Sequence, residues 1–232
     1  MGQSMTPRYQ VLATELKKQL ADGVYPVHSK IPSEHTLGAQ FHVSRVTVRK
    51  ALEILEGEGL LERIQGSGTF VSSPRIEKNL LHSTSFHDTC RMMGVCPSTR
   101  VIDARMVEAG ERDRKMLQDA LLQTVFKVTR LCLADNEPVM LEKNTYAPLA
   151  FFLEKEDLSG SIYALLCNHG VIPDRGSHAI ALRYADAEDA RLLNVSQGEA
   201  LLEVSEAILD RRGRMIHYSI QHVRGDRFTF RI

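Results

Sequence analysis

The sequence contains no tryptophan, and only 6% of its 232 residues are aromatic. It also lacks a long apolar run: residues 146–153 include Pro148 and fall far short of the roughly 20 apolar residues that a membrane-spanning helix needs. The amino-terminal residues show no apolar core of the kind found in signal peptides. We therefore expect a protein that does not enter a membrane.

Cysteine is scarce and is not paired in the sequence. The four cysteines stand at positions 90, 96, 132 and 167 without a Cys-x-x-Cys spacing, which is typical of reduced thiols in a cytoplasmic protein. His87, Cys90 and Cys96 lie close together but lack a fourth ligand and the paired spacing of a zinc site. We therefore expect a cytoplasmic protein with no metal.

The motifs of several enzyme classes are also missing. The chain has no nucleophile elbow, no phosphate-binding loop and no dinucleotide fingerprint. These absences predict no catalytic residues and no cofactor.

Charge of neither sign is in excess, since 29 Lys and Arg balance 29 Asp and Glu. Residues 1–75 nevertheless carry nine Lys and Arg against seven Asp and Glu, so any polyanionic partner is expected at the amino-terminal end. The 43% hydrophobic and 25% charged composition is that of an ordinary globular protein, long enough for one large domain or two small ones.

Apolar residues at three- and four-residue steps predict three helices within the first sixty residues. The first covers about residues 9–20, and the second begins after Ser33 and ends near residue 41. The third begins after Ser44 and ends at residues 57–59. Both serines are suited to cap a helix amino terminus.

Two short β-prone runs follow the helices, at residues 60–64 and 69–72. The intervening Gln65-Gly66-Ser67-Gly68 supplies glycines for a tight turn, so the runs predict a β-hairpin. Residues 1–74 are accordingly interpreted as one domain, and residues 75–84, which lack apolar periodicity, as a linker.

Residues 85–232 change to long β-prone runs, which predict a second domain of α+β class with one antiparallel sheet. Residues 112–122, 161–169 and 187–193 look helical. The six predicted strands cover residues 99–109, 125–134, 139–146, 178–184, 201–209 and 215–223.

Three motifs in the first domain closely resemble the winged helix-turn-helix of the GntR superfamily. They are Ile31-Pro32-Ser33-Glu34, the stretch from Val43 to Leu52, and the stretch from Gly66 to Val71. This resemblance implies an amino-terminal domain that binds double-stranded DNA. The candidate DNA-binding residues are Ser33, Glu34, His35, Ser44, Arg45, Thr47, Arg49, Arg63, Gln65, Gly66, Gly68 and Thr69.

Arg45 and Arg49 lie one helical turn apart beside the apolar stripe of the third helix, so both guanidinium groups can face outward. There each can donate two hydrogen bonds to a guanine. The alternative is that Arg45 and Arg49 form a charged face that contacts only solvent. For Thr47 and Gln65, a DNA contact and an ordinary surface position are equally compatible with the sequence. His35 stands where the family usually has arginine, which predicts a weaker contact.

The second domain resembles the UTRA effector domain of the HutC branch, which has a chorismate-lyase-like fold. The resemblance rests on Ser85-Phe86, Glu137-Pro138-Val139, Ser161-Ile162-Tyr163 and the stretch from Tyr218 to Phe228. It implies an effector pocket on the sheet. The candidate effector-binding residues are Ser85, Phe86, Arg130, Glu142, Ser161, Tyr163, Arg175 and His217.

Strand alternation places Arg130 and Glu142 among apolar neighbours on two successive strands. The two side chains can form a salt bridge that closes the core, or they can bind a ligand. The sequence favours neither role, and the two roles are compatible. Ser161 begins a helix whose free N–H groups favour an anion, although it is also an ordinary cap.

Two departures from the family pattern bear on the ligand. Cys132 stands where many relatives have a second arginine, and His217 stands where many have a glutamate. Both departures weaken the expectation that the effector is a phosphosugar. His217 is suited to a carboxylate or phosphonate, or is simply a core residue.

These observations together predict a repressor that a small anionic metabolite releases from DNA. The expected form is a homodimer on a palindromic operator. The alternative is an enzyme on the second domain with an accessory DNA-binding domain, which turnover of candidate metabolites would reveal.

Overall fold

The computed structural model describes residues 6–73, 75–80 and 84–231. The chain forms two compact units that divide after Arg75. Within the described ranges, no helix is long and apolar enough to cross a membrane.

The first unit contains the three predicted helices and the predicted hairpin. Its elements are α1 (Arg8–Ala21), α2 (Glu34–Gln40), α3 (Arg45–Gly57), β1 (Leu61–Ile64) and β2 (Gly68–Val71), and β1 and β2 pair antiparallel. Ser33 and Ser44 cap α2 and α3, because each hydroxyl accepts a hydrogen bond of 3.2 Å from the amide three residues on. Both helix starts and the hairpin were therefore predicted correctly.

Apolar stripes of the three helices meet in the core of the first unit. Leu16 of α1, Leu37 of α2 and Leu52 of α3 are each at most 3% exposed, and Val71 closes the core from the hairpin. The opposite face of α3 is thereby left to solvent.

The second unit is built on a six-stranded sheet in the order β4-β5-β6-β9-β8-β7. All neighbouring strands are antiparallel, which confirms the predicted α+β class. The strands are β4 (Pro97–Glu108), β5 (Thr124–Ala134), β6 (Glu137–Tyr146), β7 (Pro173–Tyr184), β8 (Ala200–Asp210) and β9 (Met215–Arg224).

Short helices connect these strands. They are α4 (Phe86–Met92), α5 (Glu111–Met116), α6 (Ile162–Asn168), α7 (Ala187–Leu193) and a 3₁₀ helix (Pro148–Lys155). The sequence predicted α5, α6 and α7 but neither α4 nor the 3₁₀ helix. The helix predicted at residues 112–122 ends early, since Gln118 has a φ of +56°.

The predicted linker at residues 75–84 is wrong over part of its length. Residues 76–79 form β3 (Ile76–Asn79), which pairs in parallel with β10 (Phe228–Arg231). Ile76 is fully buried in the core of the second unit. The alternation of one buried apolar residue with charged neighbours gave too weak a signal for a strand of four residues. Residues 81–83 of the predicted linker lie outside the described residues.

Candidate DNA-binding surface and ligand cavity

The amino-terminal turn of α3 presents an exposed polar face. Arg45 and Arg49 are exposed, whereas Val48 of the same turn is fully buried. Thr47 donates its amide to the Ser44 hydroxyl, and its own hydroxyl lies 2.9 Å from that of Ser44. Val46, which sequence reasoning missed, is 75% exposed and offers the apolar contact that a thymine methyl group accepts.

One carboxylate organises the basic side chains of this face. Nε and Nη2 of Arg49 donate hydrogen bonds of 3.3 and 3.2 Å to the two carboxylate oxygens of Glu34. Nη2 of Arg63 lies 3.9 Å from the same carboxylate. The hydrogen bond from Arg49 holds the pKa of Glu34 below its ordinary value, with further attraction from Arg63 and Arg45. Glu34 therefore stays ionised and ties the start of α2 to α3 and the wing.

The wing brings the remaining candidates beside α2. Gly66 and Gly68 have φ angles of +75° and +134°, which favour glycine. A Cβ on Gly68 would lie 2.4 Å from Cε of Lys30. Lys30 had not been selected from the sequence, because it precedes the recognised motif. A groove between the wing and α2 is lined by Lys30, Ile31, Pro32, Ser33, Glu34, Arg63, Ile64, Gln65, Gly66, Ser67, Gly68 and Thr69.

All twelve candidates of the first unit occupy three parts of this surface: the start of α2, the start of α3 and the hairpin. His35 is exposed at the start of α2. Exposed guanidinium groups, hydroxyls and backbone amides are the groups that bind base edges and phosphates. The surface has the chemistry of a DNA-reading module.

A narrow cavity lies between the sheet of the second unit and the helices α4 and α6. Its open volume is about 30 Å³, within about 400 Å³ of space that is free of protein atoms and partly joined to solvent. The open part holds only a water or two. The lining residues are Lys78, Thr84, Ser85, Phe86, His87, Arg130, Met140, Glu142, Ser161, Ile162, Tyr163, Glu206 and Gln221.

Arg130 and Glu142 form the salt bridge that the sequence left open. They are directly paired on β5 and β6, and Nε and Nη2 of Arg130 donate to one Glu142 oxygen at 3.0 and 2.5 Å. Nη1 of Arg130 donates to the carbonyls of Leu158 and Gly160. Burial lowers the pKa of Arg130, but the Glu142 carboxylate more than offsets this and holds it above its ordinary value. The guanidinium thus stays charged and fixes the loop before α6.

Two cap serines meet at the mouth of the cavity. Ser85 caps α4 and Ser161 caps α6, and the Ser161 hydroxyl donates to the Ser85 hydroxyl at 3.2 Å. Ser85 in turn donates to Asp88 at 2.5 Å. Phe86 and Tyr163, the neighbouring candidates, also line the cavity. Six of the candidate effector-binding residues, which come from separate segments of the chain, therefore line one cavity: Ser85, Phe86, Arg130, Glu142, Ser161 and Tyr163.

A buried ion pair in the cavity was missed. Nζ of Lys78, on β3, lies 3.6 Å from Glu206 on β8, and Nδ1 of His178 lies 3.5 Å from the same carboxylate. Burial raises the pKa of Glu206, but Lys78, His178 and His217 together hold it well below its ordinary value. Alternation along β8 sets Glu206 between Val204 and Ile208, the same signal that singled out Arg130. Lys78 was missed because its segment was predicted to be linker.

His217, a candidate from the sequence, is buried outside the lining of the cavity. Its ring centroid lies 5.2 and 6.2 Å from those of Tyr146 and Tyr163. Burial holds its pKa below the ordinary value, and Glu206 opposes this only in part. Among the described residues, neither ring nitrogen of His217 has a hydrogen-bond partner, and the same holds for both side-chain atoms of Asn144 and for Oε1 of Gln221. Buried polar atoms without partners are costly, so Oε1 of Gln221, which lines the cavity, is suited to accept a hydrogen bond from a polar ligand.

Arg175 is not brought into this site. It is exposed on β7, and its guanidinium lies near Gly213 in the turn between β8 and β9. No cluster of three or more metal-ligating side chains is found in the part of the chain that the structure describes.

Two family models match the two units. Residues 8–71 match bacterial regulatory proteins of the gntR family, and residues 92–229 match the UTRA domain. The two matches together cover most of the chain, which places regulator and effector-type domains in the order that the sequence predicted.

Similar proteins share nearly the whole length. The transcriptional repressor NagR of Bacillus subtilis is 32% identical over 231 residues, which cover 98% of this chain and 95% of the repressor. The probable fructoselysine utilization operon transcriptional repressor of Escherichia coli is 30% identical and covers 99% of this chain and 98% of its own. The crystal structure of PhnF from Mycobacterium smegmatis superposes with a TM-score of 0.78 at 26% identity, over 95% of this chain and 97% of PhnF. The chain therefore belongs to the GntR family of bacterial regulatory proteins, as a DNA-binding transcriptional regulator that carries a UTRA domain.

Proposed function

We propose that this regulator is a repressor that leaves its operator when a small anionic metabolite occupies the cavity of the second unit. The observation that carries the proposal is the presence of two separate sites in two units. One is an exposed Arg45 and Arg49 face beside a wing, and the other is a buried polar cavity. The names of the relatives NagR and the fructoselysine operon repressor support the sign of regulation.

The DNA partner is a palindromic operator, and the active form is a homodimer. Two-fold symmetry of the protein matches two inverted half-sites, each read by one α3 in the major groove. An exposed apolar stripe on the edge strand β7 supports self-association, since Ile180, Leu182 and Tyr184 are 41%, 63% and 64% exposed. As a repressor it acts in the bacterial cytoplasm, where the operator lies.

The anionic character of the effector is supported by the loose pairing of one cavity cation. The 3.6 Å between Lys78 and Glu206 is longer than a hydrogen bond, so an anion can compete for Lys78. Arg130 differs, because Glu142 and two carbonyls already engage its donors. The hydroxyls of Ser85 and Ser161 add neutral contacts.

The test has two steps with the full chain. Selection from a random duplex library yields the DNA that it binds, and a thermal-shift screen of carboxylates, phosphonates and phosphosugars yields ligands, because a ligand at 100 times its Kd stabilises by about 2.7 kcal/mol. A stabilising anion is expected to release the selected duplex at fixed salt. Failure to select a palindrome, or turnover of the stabilising compound, would contradict the proposal.

A further inference from the structure

Strand β3 is the first element of the second unit, and it contributes a side chain to the cavity. The units divide after Arg75, and β3 begins at Ile76. Ile76 is fully buried, whereas Lys78 faces the same way and lines the cavity. The chain therefore passes from the DNA-binding unit to the ligand cavity within three residues.

Three kinds of contact hold the strand: the buried side chain of Ile76, its pairing with β10 and the Lys78 ion pair. It pairs only with β10 in the described sheet order, through backbone bonds such as Ile76 to Arg227 and Leu80 to Arg231 at 2.7 and 2.8 Å. The exposed pair of Glu77 with Arg231 contributes little. The Lys78 ion pair with Glu206 is different, because the two side chains are only 12% and 5% exposed.

We propose that Lys78 is the residue through which the cavity acts on the DNA-binding unit: the oxyanion of the effector binds the Lys78 ammonium, separates it from Glu206 on β8 and so loosens β3 and its pairing with β10. This inference rests on the proposed function and names the regulation of that site. Nδ1 of His178 lies 3.5 Å from the same Glu206 carboxylate, so Glu206 keeps a polar neighbour when Lys78 leaves. A ligand that binds the separated state more tightly shifts the population toward it.

Removing the ion pair should imitate the ligand. Lys78→Met and Glu206→Gln are each expected to weaken binding to the selected duplex by about fivefold or more without any ligand, which is the low end of typical allosteric coupling. The matched control is Glu77→Gln on the same strand, which breaks an exposed pair and is expected to stay within about twofold of the wild type. Folded variants that bind like the wild type overturn the proposal.

Amide hydrogen exchange shows directly whether an anion loosens β3, and it requires no DNA. The experiment uses the wild-type protein, so it remains possible if a variant does not fold. The amides of Ile76 and Leu80 are expected to exchange faster when inorganic phosphate, methylphosphonate or acetate is titrated in, and the three arms show which oxyanion the site takes. Unchanged exchange at both amides across all three titrations overturns the proposal. Wild-type binding to the selected duplex is measured in parallel, so a failure of DNA binding itself is recognised separately.

Discussion

Glu34 illustrates how a single acidic residue can organise the basic surface that we propose as the DNA-binding site. A carboxylate near phosphates is unfavourable by itself. Here it accepts two hydrogen bonds from Arg49 and attracts Arg63, so the basic side chains are oriented before DNA arrives. Orientation in advance reduces the side-chain entropy lost on binding.

Glu34→Gln should therefore lower specificity more than affinity. The amide cannot hold both arginine nitrogens as the carboxylate does, so binding to the selected duplex is expected to weaken by about two- to fivefold. Binding to random duplex should strengthen, since one negative charge is lost. Competition titrations of both duplexes at fixed salt measure the ratio. A ratio equal to that of the wild type would remove Glu34 from the recognition surface.

His217 predicts a pH dependence of stability. Its folded pKa lies below the ordinary 6.5 because of burial, so the neutral form is favoured in the folded state. The contribution of neutral His217 to the free energy of unfolding is complete above pH 6.5, and it is lost as the pH falls from 6.5 toward the folded pKa. The melting temperature of the second unit is expected to fall over that range, and less so in His217→Gln. The exposed His35→Gln is the control, and an identical pH profile in all three proteins would refute the assignment.

The sequence predicted which polar side chains are buried on a strand, but it did not predict the groups that they contact. Alternation singled out Arg130 and Glu142 because a polar residue among apolar neighbours is visible in the sequence. Alternation could not show whether Arg130 forms a salt bridge or binds a ligand. The role of Arg130 also depends on the carbonyls of Leu158 and Gly160, which come from a distant segment. Arg175 was carried over from a family pattern, and the structure places it away from the cavity.

At the scale of the element, the segments with periodicity or a turn signal were predicted, and the four-residue strands β3 and β10 were missed. The three helices of the first unit and the six strands of the main sheet each repeat their period several times. Strand β3 has four residues, and its partner β10 lies about 150 residues away. Only that long-range pairing makes residues 76–79 a strand, so Lys78 could not be recognised.

The loop before α6 depends on Arg130, which joins it to β5 and β6. Arg130→Ala leaves the Glu142 carboxylate buried without its partner, and we expect the second unit to lose about 3–5 kcal/mol of stability. Denaturant unfolding measures this loss. The double variant Arg130→Met with Glu142→Leu should recover most of it, because no charge is then left buried. A loss below about 1 kcal/mol in the single variant would show that the pair is not needed for the fold.

The wing depends on Gly68. Gly68→Ala is strained by its φ of +134° and places a Cβ 2.4 Å from Lys30, so the hairpin should shift and binding to the selected duplex should weaken. The control is Gly57→Ala at the end of α3, where a Cβ meets nothing within 4 Å and should stabilise by about 0.5–1 kcal/mol. Duplex affinity and melting temperature are measured for both. Equal affinity of Gly68→Ala and the wild type would exclude the wing from DNA binding.

At the scale of the whole molecule, the two units carry different tasks. The change of pattern near residue 75 indicated two domains in the sequence, and the chain divides after Arg75. The sequence also predicted a DNA-reading face from contiguous motifs, and the structure brings those residues to one surface. It could not supply the floor of the cavity, which is assembled from β3, β5, β6, β8 and β9.

The affinity for the selected duplex, measured by fluorescence anisotropy at fixed salt with and without the stabilising anion, tests this division most directly. Arg49→Ala should lose specific binding by about tenfold or more, since it removes a base contact. Ser161→Ala should bind the duplex like the wild type but require more anion for release. An Arg49→Ala variant that binds as tightly as the wild type, or a Ser161→Ala variant that is released at the wild-type anion concentration, would contradict the assignment of the two sites.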